Sequence, residues 1–133
     1  MCIRDSCSDV KRKVLYIKNE EGWEKDKQHE KITKCIKNVE YKHTFWAQLY
    51  QKGMLHAPHH HGEDDISWVH FLNVPEEKLF RFTDTDGNVF VPKEQNNGDI
   101  ICFPSWLWHE VLPNETDEER LVTAGNIKIT NLL

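Results

Sequence analysis

The chain has 133 residues, 38% of them hydrophobic and 29% charged, with a formal net charge of −5. That is enough for one domain with a real core and too little for two. The negative charge disfavours a non-specific nucleic-acid surface, which needs clustered Lys and Arg. No apolar run approaches the roughly 20 residues of a membrane span, so a membrane is not expected as a partner.

Residues 1–8 are polar and lack the apolar region of a signal peptide; they are read as a non-native or disordered start and left out of the fold. Residues 9–43 are expected to form an N-terminal strand and helix. Val14, Leu15, Tyr16 and Ile17 give a short apolar stretch. Ile32, Cys35, Ile36 and Val39 then recur at three- and four-residue spacing, which predicts a helix from about Asp26 to Val39 with one stripe packed on a sheet. Lys11, Arg12, Lys13, Lys25, Lys27, Lys31, Lys34 and Lys37 are interrupted by acidic residues and read as a solvated face. Cys2, Cys7, Cys35 and Cys102 form no CxxC pair, which suits a reducing, cytoplasmic setting.

From Thr44 the period changes. Phe45–Tyr50, Ile66–Leu72, Lys78–Phe82, Asn88–Val91, Asp99–Phe103, Glu110–Leu112 and Arg120–Ala124 read as short strands rich in β-branched and aromatic residues. Asp86-Gly87, Asn96-Asn97-Gly98 and Pro113-Asn114 mark turns between them. About seven strands with one helix and no βαβ alternation predict a mainly β sandwich or barrel, with its core over 44–133. Trp46, Trp68 and Trp108 are expected in the core, and Glu115–Glu119 in a solvated loop.

Two clusters carry chemistry. The first is His56-Ala-Pro-His59-His60-His61-Gly-Glu63-Asp-Asp65. In an extended segment side chains alternate, so His59 and His61 share a face while His60 points away. Two imidazoles so placed begin a transition-metal site. In the second cluster, Gly98 opens an apolar strand ending at Pro104, and a tight turn leads to His109. Each half alone is a common pattern; the pair is far more specific.

Together the segments resemble the double-stranded β-helix (jelly-roll) superfamily that includes the cupins and the 2-oxoglutarate/Fe(II)-dependent oxygenases. They look most like small 2-oxoglutarate oxygenases of phages and marine bacteria. The resemblance spans roughly Phe45 to Ile129, with Phe103-Pro-Ser-Trp-Leu-Trp-His109 its most specific part. It implies a double-stranded β-helix that binds Fe(II) through His59, His61 and His109. Arg120, eleven residues after His109, would grip the distal carboxylate of 2-oxoglutarate, a task suited to a guanidinium fork. Ser67 and Asn126 match positions near the co-substrate, and Phe103 and Trp106 are expected in the pocket wall. The implied activity is a dioxygenase that couples substrate oxidation to decarboxylation of 2-oxoglutarate, with O2 as the other partner. One departure stands out: the better-known oxygenases carry HxD or HxE. A frame using His61 and Glu63, or Asp65 as a fourth ligand, therefore stays open. So do a cupin-type metal enzyme without 2-oxoglutarate and a non-catalytic metal-binding module. The substrate is unspecified, and monomer and homodimer are equally open.

Overall fold

The structure, a computed structural model, describes residues 15–17 and 38–133. The expected start over 1–8 and nearly all of the expected helix lie outside these residues. Only its end is testable, and Val39 opens a strand instead.

The described residues form β1 (Leu15–Ile17), β2 (Val39–Tyr50), β3 (His56–His59), β4 (Ile66–Asn73), β5 (Phe80–Thr83), β6 (Val89–Phe90), β7 (Ile100–Pro104), β8 (His109–Val111) and β9 (Arg120–Leu132). They build two antiparallel sheets, ordered β1-β7-β4-β9-β2 and β3-β8-β5-β6. The architecture is a mainly β jelly roll. No helix of the described residues is long and apolar enough to cross a membrane.

Side-chain parity explains how the sheets meet. Val69 and Phe71 of β4, Ile101 and Phe103 of β7 and Val122 of β9 project from one face of the larger sheet. They pack on Phe80, Phe82 and Val111 of the smaller one. The alternate residues Trp68, Ile100, Cys102 and Ile127 form a second buried cluster, as the two-residue period of a strand demands. Cys102 is there as a small buried hydrophobe. Of the three tryptophans expected in the core only Trp68 is buried. Trp46 and Trp108 are 39% and 42% exposed, because Trp46 of β2 lies at the rim of a cavity and Trp108, in the turn before β8, lies on an outer surface beside His60.

The longest ladder joins β2 to β9, from Val39 opposite Leu132 to Tyr50 opposite Arg120. β2 starts well before the change of period at Thr44, since Glu40 and Lys42 make its first residues look like surface chain. Charged residues on an edge strand discourage pairing with other chains. The turns follow the expected chemistry. Gly87 has φ 84° and Gly98 φ 93°, and the Asp84 carboxylate accepts the backbone N–H groups of Asp86 and Asn88.

Three pairings bring the polar side chains of the interior together. β3 and β8 set His59 opposite His109, β4 and β9 set Ser67 opposite Asn126, and β2 and β9 set Tyr50 opposite Arg120. The last is pinned by Asn114, which is fully buried. Its amide donates to the carbonyls of Tyr50 and Glu118, and its Oδ1 accepts from Thr116.

Gly125 lies where the sheet is tightest. A Cβ there would fall 2.5 Å from Trp68 Nε1, a nitrogen that donates to His43 Nε2 at 2.8 Å. Gly125→Ala should therefore cost about 1–3 kcal/mol through overpacking of a filled core. Urea unfolding measures this, and an unchanged midpoint would contradict the described packing of Trp68.

Candidate metal centre

His59 ends β3, and His61 follows it with its backbone N–H donated to the Ser105 carbonyl at 2.8 Å. The segment is extended, so the two imidazoles reach one side. His60 turns away, its ring 4.6 Å from that of Trp108 and its Nδ1 accepting the Gly62 N–H. His109 begins β8 after the turn at Ser105. The nitrogens of His59, His61 and His109 all lie within 4.8 Å of one another.

Two of the imidazoles are oriented by the local backbone. His59 Nδ1 lies 2.7 Å from the Ala57 carbonyl, and His109 Nδ1 lies 2.9 Å from the Leu107 carbonyl. A carbonyl only accepts, so each Nδ1 carries a proton, which leaves Nε2 as the nitrogen that can serve as a ligand. This is the arrangement that orients a ligating histidine. Burial pushes His109 down to about 3, helped by the neighbouring His59. His61 is lowered by burial and by His59, with Asp64 acting in the opposite sense. Neutral imidazoles are the form that binds a metal, and three of them suit iron, zinc, copper or nickel rather than a hard cation.

Neither rival carboxylate joins the cluster. Asp65 Oδ2 accepts the Ile129 N–H at 2.7 Å. Glu63 is exposed, and its backbone carbonyl holds Lys128.

Arg120 is 2% exposed. Its guanidinium lies over the Tyr50 ring, 4.7 Å from the centroid, and near Phe71. Burial pulls Arg120 down from its usual range, against the pull of Tyr50. Arg120 Nη1 has no hydrogen-bond partner, and among the described residues it is the one buried side-chain nitrogen or oxygen so left. An unpaired buried donor costs free energy, so this nitrogen marks a place where an anion fits.

The triad and Arg120 face one cavity of about 50 Å³, whose wall also includes Trp46, Tyr50, His56, Phe103 and Val111. Ser67 and Asn126 lie in the same wall. The Ser67 hydroxyl donates to Asn126 Oδ1 at 2.6 Å and is 2.8 Å from the Ser105 hydroxyl. Asn126 Oδ1 is thus engaged, and its Nδ2 is the donor of this side chain. Phe103 is in the wall, as expected, but Trp106 is not. Ser105, Leu107 and His109 point inward and are buried, so Trp106, between the first two, points out and is 46% exposed.

Tyr50 and His56 were not anticipated. Tyr50 reads as an ordinary strand aromatic until the register places it opposite Arg120. His56 sits three residues before His59, a spacing that separates faces in a regular strand. A register shift between them in the β3–β8 ladder stacks their rings instead, with centroids 3.9 Å apart.

A family profile described as "Putative 2OG-Fe(II) oxygenase" matches residues 81–126, which include His109 and Arg120. No curated protein matches the sequence. Among solved structures, a prolyl-4-hydroxylase from Pseudomonas putida superposes with a TM-score of 0.58 at 22% identity, over 85% of this chain and 71% of that one. A 2OG-Fe(II) oxygenase family oxidoreductase from Burkholderia pseudomallei gives 0.57 at 20% identity, over 71% of this chain and 48% of that one. The α-ketoglutarate-dependent epimerase SnoN from nogalamycin biosynthesis gives 0.55 at 17% identity, over 63% and 45%. It is also known in complex with Fe3+ and α-ketoglutarate. The chain thus spans less than half the length of the second and third. It shares the fold of these solved structures and, over residues 81–126, is similar to the 2OG-Fe(II) oxygenase family profile.

Proposed function

We propose that this protein is an Fe(II)/2-oxoglutarate-dependent dioxygenase in which His59, His61 and His109 hold the iron and Arg120 holds the distal carboxylate of 2-oxoglutarate. The observation that carries this reading is one cavity wall with three convergent imidazoles and, apart from them, a buried guanidinium nitrogen without a partner. An ion with open coordination positions and an anionic co-substrate match these two features.

Iron with bound 2-oxoglutarate would supply O2 activation coupled to decarboxylation, giving succinate. The chain's own share is orientation and exclusion of water. The Ala57 and Leu107 carbonyls keep the lone pairs of His59 and His109 turned to the metal. Arg120 presents Nη1 from a dry wall, where a charge-assisted hydrogen bond to a carboxylate is strong. Tyr50, beneath the guanidinium, brings a hydroxyl to the same end. Asn126, with Oδ1 held by Ser67, directs Nδ2 as a further donor to the co-substrate. Phe103 and Val111 keep the cavity apolar between these groups.

The three-histidine set, where two histidines and a carboxylate are usual in non-haem iron oxygenases, favours a second reading: a cupin-type metal enzyme independent of 2-oxoglutarate. That reading leaves Arg120 without a task.

Incubated with Fe(II), 2-oxoglutarate and O2, the protein should release succinate even without its own substrate. His109→Ala should abolish release. Arg120→Ala should raise the 2-oxoglutarate KM about 10- to 100-fold, the worth of a charged hydrogen bond. Unchanged succinate from both variants would refute the assignment, and metal-dependent turnover without 2-oxoglutarate would establish the cupin reading.

Stability gives an independent check. Arg120→Met removes a buried charge and fills its space with apolar atoms, so the metal-free protein should gain about 1–3 kcal/mol. The wild type should be stabilised further by iron with 2-oxoglutarate, and the variant should lose most of the 2-oxoglutarate increment. A variant less stable than wild type without ligands would mean that Arg120 is structural.

A further inference from the structure

His56 is a cavity side chain with no task in the proposed binding of iron and 2-oxoglutarate. It is not a fourth ligand: it stands outside the cluster of His59, His61 and His109. Its ring lies nearly parallel to that of His59, at 16°, and two stacked imidazoles do not aim their nitrogens at a common point. The register shift in β3 brings His56 onto the cavity side, as a bulge re-aims a side chain. There it spans the distance between two functions. One face covers His59 at the metal end, while Nδ1 lies 3.4 Å from Tyr50 Oη. Tyr50 in turn lies under the Arg120 guanidinium.

The Tyr50 hydroxyl has one proton and acceptor capacity on its oxygen. If that proton points at His56, the phenol offers nothing to an anion. If His56 supplies the hydrogen, the phenol proton is free. The 3.4 Å separation is longer than a settled hydrogen bond.

We propose that His56 is a positioning residue for the distal carboxylate of the co-substrate: its Nδ1–H engages Tyr50 Oη, so that the phenol O–H joins Arg120 Nη1 on that carboxylate. This rests on the proposed iron and 2-oxoglutarate site and adds to it a device that selects a dicarboxylic 2-oxo acid over a monocarboxylic one. Pyruvate has the same 2-oxo-carboxylate end for the metal but no distal carboxylate, so His56 does not contribute to its binding.

The test is calorimetric titration of the Mn(II)-loaded protein with 2-oxoglutarate and with pyruvate. His56→Phe keeps an aromatic ring on His59 and removes the nitrogen. It should weaken 2-oxoglutarate about three- to tenfold, the range of one net hydrogen bond, while pyruvate and Mn(II) affinities stay within about twofold of wild type. Tyr50→Phe should give a similar loss, and the double variant should be no weaker than the worse single one, because both break one chain of contacts. Equal weakening of pyruvate and 2-oxoglutarate by His56→Phe would show that His56 acts through His59, and fully additive losses would show two independent contacts. Either result overturns the proposal while leaving the metal centre intact. A wild-type protein that binds Mn(II) but not 2-oxoglutarate would remove the site on which the proposal rests.

Discussion

The buried guanidinium of Arg120 is the constraint around which the cavity is arranged. A cation taken out of water and left with an unpartnered donor is costly, and the surrounding fold must offset that cost. The offset comes from well-packed apolar residues of both sheets, Phe71, Phe80, Phe103 and Val122 among them. Tyr50 supplies the aromatic face beneath the guanidinium, and Asn114 ties the Tyr50 backbone to the loop that leads into β9. A fold selected for stability alone has no reason to keep such a charge; a site for an anionic ligand does.

The opposite end of the cavity follows a different logic. Two of its three imidazoles have their Nδ1 protons fixed on carbonyls of their own local chain. Their orientation is therefore set by backbone two residues away and not by distant side chains. His109 is further held by aromatic rings, with Phe103 at 5.0 Å and Phe80 at 5.7 Å between centroids. A pre-oriented imidazole cluster and a pre-oriented cation share one small space. A bifunctional ligand with a chelating end and a carboxylate end would connect them. Preorganisation of this kind lets binding energy be realised without rearranging the protein.

Much of this was legible in the sequence because it depends on local chemistry. Strand alternation separates His59 and His61 from His60, and the run from Gly98 through Pro104 to His109 encodes a strand, a turn and the start of the next strand. The expectation for Arg120 came from resemblance and not from any local pattern, since an arginine after two glutamates looks like surface; its burial in the cavity wall is what the structure adds. The family match begins at residue 81, so the pairing of His59 and His61 with His109 rests on geometry. What escaped depends on non-local information. Tyr50 acquires meaning only through its register with Arg120. His56 required a register shift that a two-residue period conceals. Trp46, Trp106 and Trp108 were misassigned because hydrophobicity reports a preference for burial, whereas parity and position decide which face receives the side chain. Residues from Val39 to His43 were hidden by charges suited to an edge strand.

The most direct test of the joint metal and co-substrate site is anaerobic addition of Fe(II) and then 2-oxoglutarate to the metal-free protein, observed by visible absorption. Chelation of the iron by the 2-oxo acid should produce a weak charge-transfer band that saturates at one equivalent of iron. In Arg120→Ala the same band should require a much higher 2-oxoglutarate concentration. Iron binding without a band at any 2-oxoglutarate concentration would contradict the shared site, and with it the oxygenase function.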